Sequence, residues 1–268
     1  MSGSAEQLSG GARPHEPLLA LREVTARFGL ISPLSLSLSG PALIGVIGPN
    51  GAGKSTLLRM ILGVEAALTG SLRVAGRSPA ELSGAERVSL MSYLPQNPSF
   101  SAYWTVTELV SQGLSPRLLR PELRAQRLNE TLTQLGLEAL SERRLGSLSG
   151  GERRRALIGR TLAQRAHMSL LDEPLAHLDW ARREELMSLM RQQVIGAGQL
   201  ALIALHDLNL AALYCDQLLL LSPDHPPQLG APQELMSAER LERAYGREPL
   251  LTTHPERSGS LQRLPRRS

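Results

Sequence analysis

The residues with the clearest chemical potential form one run that fits the pattern G-x-x-x-x-G-K-S/T: Gly48, Pro49, Asn50, Gly51, Ala52, Gly53, Lys54, Ser55 and Thr56. Glycines let a backbone fold around an anion with its N–H groups pointing inward, and a following helix adds the positive end of its dipole. In such a loop Lys54 would reach the β- and γ-phosphates of a nucleotide. Ser55 would offer its hydroxyl to a Mg²⁺ ion on the same oxygens. The run therefore predicts a phosphate cradle.

The surroundings of this loop favour the same interpretation. The apolar run 42–47 predicts a buried strand before it, and residues 57–62 suit a helix after it. Lys54 is the only lysine, and the other 28 of the 29 basic residues are arginine. A compact ammonium fits between phosphates where a planar guanidinium does not. A glycine-rich turn with an incidental lysine is the weaker alternative.

Two acidic residues follow another predicted strand, an apolar run at 168–172 that ends in Asp172 and Glu173. Ligands bind at the carboxyl ends of the strands in an open parallel sheet, so this pair would face the nucleotide. There Asp172 suits the Mg²⁺ shell, and Glu173 suits a base that aligns the attacking water. The alternative is a pair of solvated acids. His206 follows the predicted strand 200–205 and would touch the γ-phosphate, although a lone histidine is more often structural.

The run Leu148-Ser149-Gly150-Gly151-Glu152 opens a predicted helix that continues to Leu162. Ser149 and Glu152 have the spacing of a capping box, in which each side chain satisfies a free backbone N–H group of the first turn. Capping does not explain the two glycines, because glycine weakens a helix. Two glycines at a positive helix end let a phosphate approach closely, so capping and phosphate binding can both hold.

The remaining pattern indicates a β-rich entry and a helical insertion. Strands are predicted at 18–25 and 34–38, with Phe28 in the turn between them. Phe28 could stack on an adenine ring or pack beneath the hairpin. Between 105 and 146 the apolar spacing becomes helical. Other strands are predicted at 71–74, 88–94 and 218–221, and other helices at 180–195 and 238–245.

Composition narrows the function classes. A chain of 268 residues with 42% hydrophobic residues can bury a proper core. Its net charge of +4 is scattered over arginines, so we expect no nucleic-acid partner. The single Cys215 cannot form an internal disulfide, which fits a reducing compartment. No segment is apolar for long enough to span a bilayer, so a membrane role would require a partner.

We expect three parts along the chain. Residues 1–16 are rich in Gly, Ser and Pro and lack the apolar core of a signal peptide, which predicts a disordered leader. Residues 17–255 form one domain, with the helical subdomain at about 99–150. Residues 256–268 form a mobile basic tail.

These motifs in this order resemble the ATP-binding subunit of ABC transporters, over about residues 18–255. The signature run at 148–152, some twenty residues before an acidic strand, is the specific feature, because a phosphate loop alone also fits kinases, GTPases and helicases. The resemblance implies an α/β fold with a P-loop NTPase core of the ABC ATPase type, a β-rich entry subdomain and an inserted helical subdomain. It also implies ATP and Mg²⁺ as cofactors and ATP hydrolysis as the activity.

The resemblance assigns roles around one nucleotide. Phe28 matches the aromatic residue that stacks on adenine. Gln96 matches the glutamine that joins Mg²⁺ and water while it senses the permease. Asp172 matches the aspartate of the Mg²⁺ shell, Glu173 the catalytic glutamate, and His206 the histidine that contacts the γ-phosphate.

It also implies an assembly. In a head-to-tail homodimer, the signature at residues 149–152 of one copy closes over ATP held by Lys54 of the other, and Asp179 links the two sites. The dimer would sit as a peripheral unit on integral membrane permease subunits, at the cytoplasmic face of the inner membrane. An external substrate-binding protein would take part indirectly.

A finer likeness concerns the cargo. The segments 104–108, 205–212 and 241–246 resemble importers of iron-siderophores, haem and vitamin B12 (cobalamin). The ATPase never touches the cargo, so no residue encodes it directly. Some positions depart from the family pattern: Ala176 and His177 replace Ser-Ala, Arg154 stands where glutamine is common, and the segment between Phe28 and the phosphate loop is short.

Three functions compete at this point. The favoured one is an ATPase that energises import of a metal chelate through a separate permease. The runner-up is a soluble ABC-type ATPase of iron-sulfur cluster assembly. A nucleotide-binding regulator without turnover ranks last, because it predicts a damaged acidic pair and Glu173 is present.

Overall fold

The computed structural model describes residues 16–114, 119–246, 250–253 and 260–263. Its first unit is a three-stranded antiparallel sheet in the order β2-β1-β4, made of β1 (Leu19–Thr25), β2 (Leu34–Leu38) and β4 (Thr69–Val74). The alternate leucines of β2 are buried and the serines between them are exposed, as the spacing predicts. This sheet is the predicted β-rich entry.

The second unit is a six-stranded sheet in the order β5-β6-β7-β3-β8-β9. Its strands are β3 (Ala42–Ile47), β5 (Met91–Leu94), β6 (Met168–Asp172), β7 (Leu200–Ala204), β8 (Gln217–Leu220) and β9 (Gln228–Gly230). All neighbours are parallel except β8 and β9. Because β6, β7 and β3 lie side by side, the residues that follow them meet at one edge of the sheet.

Helices cover both faces of this sheet. They are α1 (Lys54–Leu62), α2 (Gly84–Leu90), α3 (Val106–Ser111), α4 (Pro121–Gln134), α5 (Gly150–Ala163), α6 (Trp180–Gly196), α7 (Leu208–Tyr214), α8 (Pro232–Leu235) and α9 (Ala238–Tyr245). One core packs α1 and the three-stranded sheet against one face, and the other packs α5, α6 and α7 against the opposite face. The central strands β3 and β7 are apolar throughout and almost fully buried, as a parallel sheet covered on both faces requires. The predicted α/β architecture is confirmed.

The helical insertion contains α3, α4 and two short 3-10 turns, Glu138–Leu140 and Leu145–Ser147. It packs on α5 through Leu109, Leu132 and Leu137, which are all buried. Within the described residues of this region the prediction of helices without strands holds. None of the described helices is both long and apolar enough to cross a membrane.

One predicted strand is partly wrong. The segment 88–94 divides at Met91: only Met91–Leu94 is a strand, while Val88 belongs to α2. Ser83 and Glu86 form a reciprocal capping box that starts α2, and this local signal outweighs the apolar run. The predicted strands at 18–25 and 200–205 each exceed the observed strand by one residue at one end. The strand predicted at 218–221 is shifted by one residue at both ends, and the strand predicted at 71–74 begins two residues earlier, at Thr69.

The end of the chain also differs from the expectation. Ser260–Arg263 lies in the expected mobile tail, yet it is a strand, β11, paired antiparallel with β10 (Leu250–Thr253). The rest of the expected tail at 256–259 and 264–268, and the expected leader apart from Glu16, lie outside the described residues.

Candidate nucleotide site

The loop between β3 and α1 has a backbone that only glycine tolerates at two points. Gly48 has φ 144°, and a Cβ there would lie 2.2 Å from the carbonyl oxygen of Leu221. Gly53 has φ 93°, and a Cβ there would lie 2.7 Å from the backbone nitrogen of Leu30. The strand, glycine loop and helix therefore follow one another as the sequence predicts.

Lys54 begins α1 and points back into this loop. Its Nζ donates to the carbonyl oxygens of Gly48 at 2.8 Å and Pro49 at 3.0 Å. The side chain is only 6% exposed. Burial lowers the pKa of Lys54, while Glu173 and Asp172 act in the opposite direction. The ammonium is thus held over the loop in a site that already contains two carboxylates.

Ser55 and Asp172 supply two neighbouring oxygens beside Lys54. The Ser55 hydroxyl donates to Oδ1 of Asp172 at 2.9 Å. Asp172 ends β6 and is buried, and this burial raises its pKa against the smaller lowering effect of the Ser55 bond. In the part of the chain that the structure describes, no three or more His, Cys, Asp or Glu side chains form a metal cage. One hydroxyl and one carboxylate fit Mg²⁺, which takes few protein oxygens and fills its octahedron with phosphates and water.

Glu173 follows at the same sheet edge, directly after the end of β6, with a left-handed backbone of φ 47°. Its carboxylate accepts a hydrogen bond from Nε2 of Gln96 at 2.8 Å and contacts Nε2 of His206. The Glu173 side chain is 15% exposed and that of His206 47% exposed. Three predicted site residues from three loops therefore meet at one carboxylate.

The signature run at 148–152 belongs to a second group of predicted site residues. Ser149 caps α5: its hydroxyl accepts from the backbone N–H of Glu152 at 3.3 Å, and the Glu152 carboxylate accepts from the Ser149 N–H at 2.8 Å. The predicted capping box is confirmed. A Cβ on Gly150 would meet no atom within 4 Å, so this helix end opens outward. Glu152 is largely solvated, and its bonds to Ser149 lower its pKa.

Asp179 stands close to this group. It caps α6 by accepting from the backbone N–H of Arg182 at 3.0 Å, and a Cβ on Gly151 would lie 2.8 Å from the Arg182 guanidinium. Within the described chain no hydrogen bond or ion pair joins Ser149 or Asp179 to Lys54. One copy of the chain thus presents two separate groups of predicted site residues.

Phe28 is 74% exposed, so the alternative in which it packs beneath the hairpin is wrong. The Arg27 guanidinium lies 5.6 Å from its ring centroid. A Cβ on the next residue, Gly29, would lie 2.6 Å from Cα of Gly53. The turn that carries the ring therefore contacts the phosphate loop directly.

Comparison with known proteins identifies the family. The family described as ABC transporter matches residues 31–176, which is more than half of the chain. The chain belongs to the ABC transporter family. It is an ATP-binding, ATP-hydrolysing member, as the resemblance of its motifs implies.

Relatives of this ABC ATPase have importer names. The chain is 35% identical over 246 residues to the "Hemin import ATP-binding protein HmuV" of Bordetella pertussis, covering 88% of this chain and 94% of the relative. It is 33% identical over 228 residues to the "Cobalamin import ATP-binding protein BtuD" of Halobacterium salinarum, covering 84% of this chain and 57% of the relative.

Solved structures agree on the fold. A chain from a transporter assigned to the metal-chelate type of ABC transporter, in an inward-facing conformation, superposes with a TM-score of 0.77 at 23% identity, over 91% of this chain and 96% of that one. CbiO1 of Clostridium perfringens, part of the ABC transporter complex cbiONQ, gives 0.72 at 25% identity, over 85% and 94%.

Arg154 of this ABC ATPase is a buried site residue that the sequence motifs do not predict. Its side chain donates to the carbonyl oxygens of Glu173 and Pro174, whereas in the sequence it is only a departure from the family pattern. Three consecutive arginines suggest a solvated helix face. The signal lay in the helical spacing: Arg154 is three residues after Gly151 and four before Ile158, and all three are buried.

Proposed function

We propose that this ATPase energises a separate membrane permease that imports a metal chelate, namely haem, cobalamin or an iron-siderophore. The observation that carries the proposal is the 35% identity to a hemin importer ATPase along nearly its whole length. The runner-up, an ATPase of iron-sulfur cluster assembly, gains no support from relatives whose names are those of importers.

At the phosphate loop, Lys54 offsets the charge of the β- and γ-phosphates, and Ser55 with Asp172 binds Mg²⁺. The metal supplies charge neutralisation on the phosphate oxygens. Glu173 orients and deprotonates the attacking water, while Gln96 and His206 fix the direction of its carboxylate. The 2.8 Å bond from Gln96 and the contact with His206 support this division of roles. Phe28 lies beside the loop, where its exposed ring can stack on adenine.

The active assembly in this proposal is a head-to-tail homodimer. The signature residues Ser149, Gly150, Gly151 and Glu152 have no bond to Lys54 of their own chain in the described residues, and Gly150 faces open space. A second copy therefore completes each nucleotide site. Asp179 binds the backbone N–H of Arg182, whose guanidinium lies next to Gly151 of the signature. From this position Asp179 can couple the two nucleotide sites of the dimer.

The dimer docks on integral membrane permease subunits at the cytoplasmic face of the inner membrane, and an external substrate-binding protein delivers the cargo. The helical insertion between residues 105 and 146 provides the docking face, with Gln96 as its hinge. Hydrolysis then depends on docking, since Gln96 touches the catalytic carboxylate.

Uptake by a deletion strain tests this function. Radiolabelled haem, cobalamin and an iron-siderophore are offered to cells that carry no copy, the parent gene or the Lys54→Ala variant. We expect loss of uptake of one cargo, restoration by the parent and none by the variant. Normal uptake of all three with loss of cytosolic iron-sulfur enzyme activity would favour the soluble alternative.

A further inference from the structure

Arg154 is a buried cation that the phosphate chemistry does not use. It is 7% exposed and lies on the inner face of α5, a little more than one turn after Gly150 of the signature. Burial lowers the pKa of Arg154, and the charges of Asp172 and Glu173 act against that lowering. A buried guanidinium without partners is strongly unfavourable, so its partners indicate its role.

Those partners are backbone carbonyl groups of two catalytic loops. Nε donates to Pro174, and Nη2 donates to Glu173 and, at 3.5 Å, to Asp172. Nη1 donates to the carbonyl oxygen of Gln96 at 3.4 Å. One planar guanidinium therefore spans the turn after β6 and the loop after β5.

The same two loops are joined a second time through their side chains. Gln96 donates from Nε2 to Glu173, whose own backbone is held by Arg154. The result is a closed ring of three residues, in which the guanidinium fixes the backbone and the amide fixes the carboxylate. Glu173 needs such support, because its left-handed φ of 47° is uncommon for a residue with a side chain.

Only arginine can occupy all these acceptors. Its guanidinium carries five N–H donors in a flat fork, whereas a lysine ammonium has three donors at one point and a glutamine amide has two. Arg154 is also about 6 Å along the helix axis from Gly150, at 1.5 Å per residue. A shift of the signature end of α5 therefore moves the guanidinium and the loops bound to it.

We propose that Arg154 is a positioning residue, which holds the Gln96 and Glu173 loops in one arrangement and ties that arrangement to the signature helix. The proposal rests on the role of Glu173 as the catalytic base. When the signature of one copy closes over the nucleotide of a second copy, α5 and Arg154 move together. The same movement then aligns the attacking water through Glu173.

Steady-state ATP hydrolysis by the full chain tests it with three variants. Arg154→Gln and Arg154→Lys should each lower kcat about tenfold or more, with KM for ATP within about threefold, because neither spans both loops. Arg165→Gln is the matched control: its exposed ion pair with Glu130 lies beyond the end of α5, and kcat should stay within about twofold. A folded Arg154→Lys protein with the parent kcat would overturn the proposal. If Arg154→Gln fails to fold, Arg154→Lys alone decides.

A double-mutant cycle separates positioning from general destabilisation. Single-turnover hydrolysis is compared between the parent, Arg154→Gln, Glu173→Gln and the double variant. We expect Arg154→Gln to lower the rate by less than about twofold when Glu173 is already replaced, since residues that act as a unit are non-additive. Equal losses in both backgrounds would refute positioning through Glu173. Parent-like hydrolysis by Glu173→Gln alone would instead remove the proposed base.

Discussion

The hydroxyl of Ser55 donates to the carboxylate of Asp172 at 2.9 Å, although the two residues are 117 positions apart in the chain. This bond connects the first turn of α1 to the end of β6, two strands away from β3 in the sheet. It therefore brings the phosphate loop and the acidic strand end into one site, with two oxygens already in place for a hard cation.

Asp172→Asn should raise the free energy of unfolding at pH 7 while it weakens the binding of Mg²⁺. Burial raises the folded-state pKa of Asp172, so the native state holds its proton more tightly than the unfolded chain does. The contribution of this group to stability is favourable below the unfolded-state pKa and is lost as pH rises through the folded-state pKa. At pH 7 the variant should be roughly 0.5 to 2 kcal/mol more stable. Urea unfolding at several pH values checks this, and the gain should shrink as pH falls.

The same variant should need more Mg²⁺. An amide oxygen is a weaker ligand than a carboxylate, so half-maximal hydrolysis should require about tenfold more metal or never be reached. Titration of MgCl₂ at fixed ATP measures it. An unchanged metal dependence would contradict the assignment of Asp172.

Lys54→Ala should abolish nucleotide binding or turnover, because the ammonium bound to Gly48 and Pro49 is removed from the cradle. Lys54→Arg keeps the charge and serves as the matched variant. It should also fail, since a planar guanidinium does not fit the space between phosphates. Binding of a fluorescent ATP analogue and far-UV circular dichroism report affinity and fold. Parent-like affinity and turnover in Lys54→Ala would show that the cradle is misassigned.

Glu173→Gln keeps the shape of the side chain and removes the base. Loss of a general base typically costs about 10²- to 10⁴-fold in rate, roughly 3 to 5 kcal/mol, while ATP binding survives. Unhydrolysed ATP should then hold two copies together. Size-exclusion chromatography with Mg-ATP should show a dimer for this variant and mostly monomer without nucleotide. A monomer at saturating ATP would rule out the head-to-tail assembly.

Phe28→Ala should weaken ATP binding without a loss of stability, because the ring is largely exposed. Stacking on a base is worth about 1 to 3 kcal/mol, which corresponds to roughly 5- to 150-fold in affinity. Inorganic tripolyphosphate has no base and serves as the control ligand, whose inhibition constant should not change. Equal losses for both ligands would indicate damage to the phosphate loop.

Gly150→Ala should separate folding from assembly. A Cβ at this position meets nothing within one chain, and alanine in a helix reduces the entropy of the unfolded state, a gain of about 0.4 to 1 kcal/mol. The same methyl group would stand between the helix end and a phosphate bound by a second copy. We expect a higher melting temperature together with a loss of ATP hydrolysis. Full activity would mean that nothing approaches this helix end closely.

Local sequence patterns predict much of the fold. The strands at 42–47 and 168–172 are largely apolar runs of the length of a strand, so the sequence predicts that both faces of each strand are buried. The family resemblance predicts separate roles for Gln96 and Glu173, but the bond between them is visible only in the structure, since neither residue has a local signal that points to the other. The role of Arg154 cannot be predicted from the sequence, because the role of a buried charge is indicated by the groups that it binds. Arg154 binds backbone carbonyl groups, which no pattern of side chains reveals.

Because Lys54 is the only lysine, it also gives the chain a single site for proteolysis at lysine. A protease that cleaves only after lysine has one site in all 268 residues. That site lies in the first turn of α1, where the lysine is 6% exposed and tied to the loop before it. Two fragments form only from molecules in which this turn has opened. The rate at which the fragments appear therefore reports how often the turn opens, and the protein needs no label for this measurement.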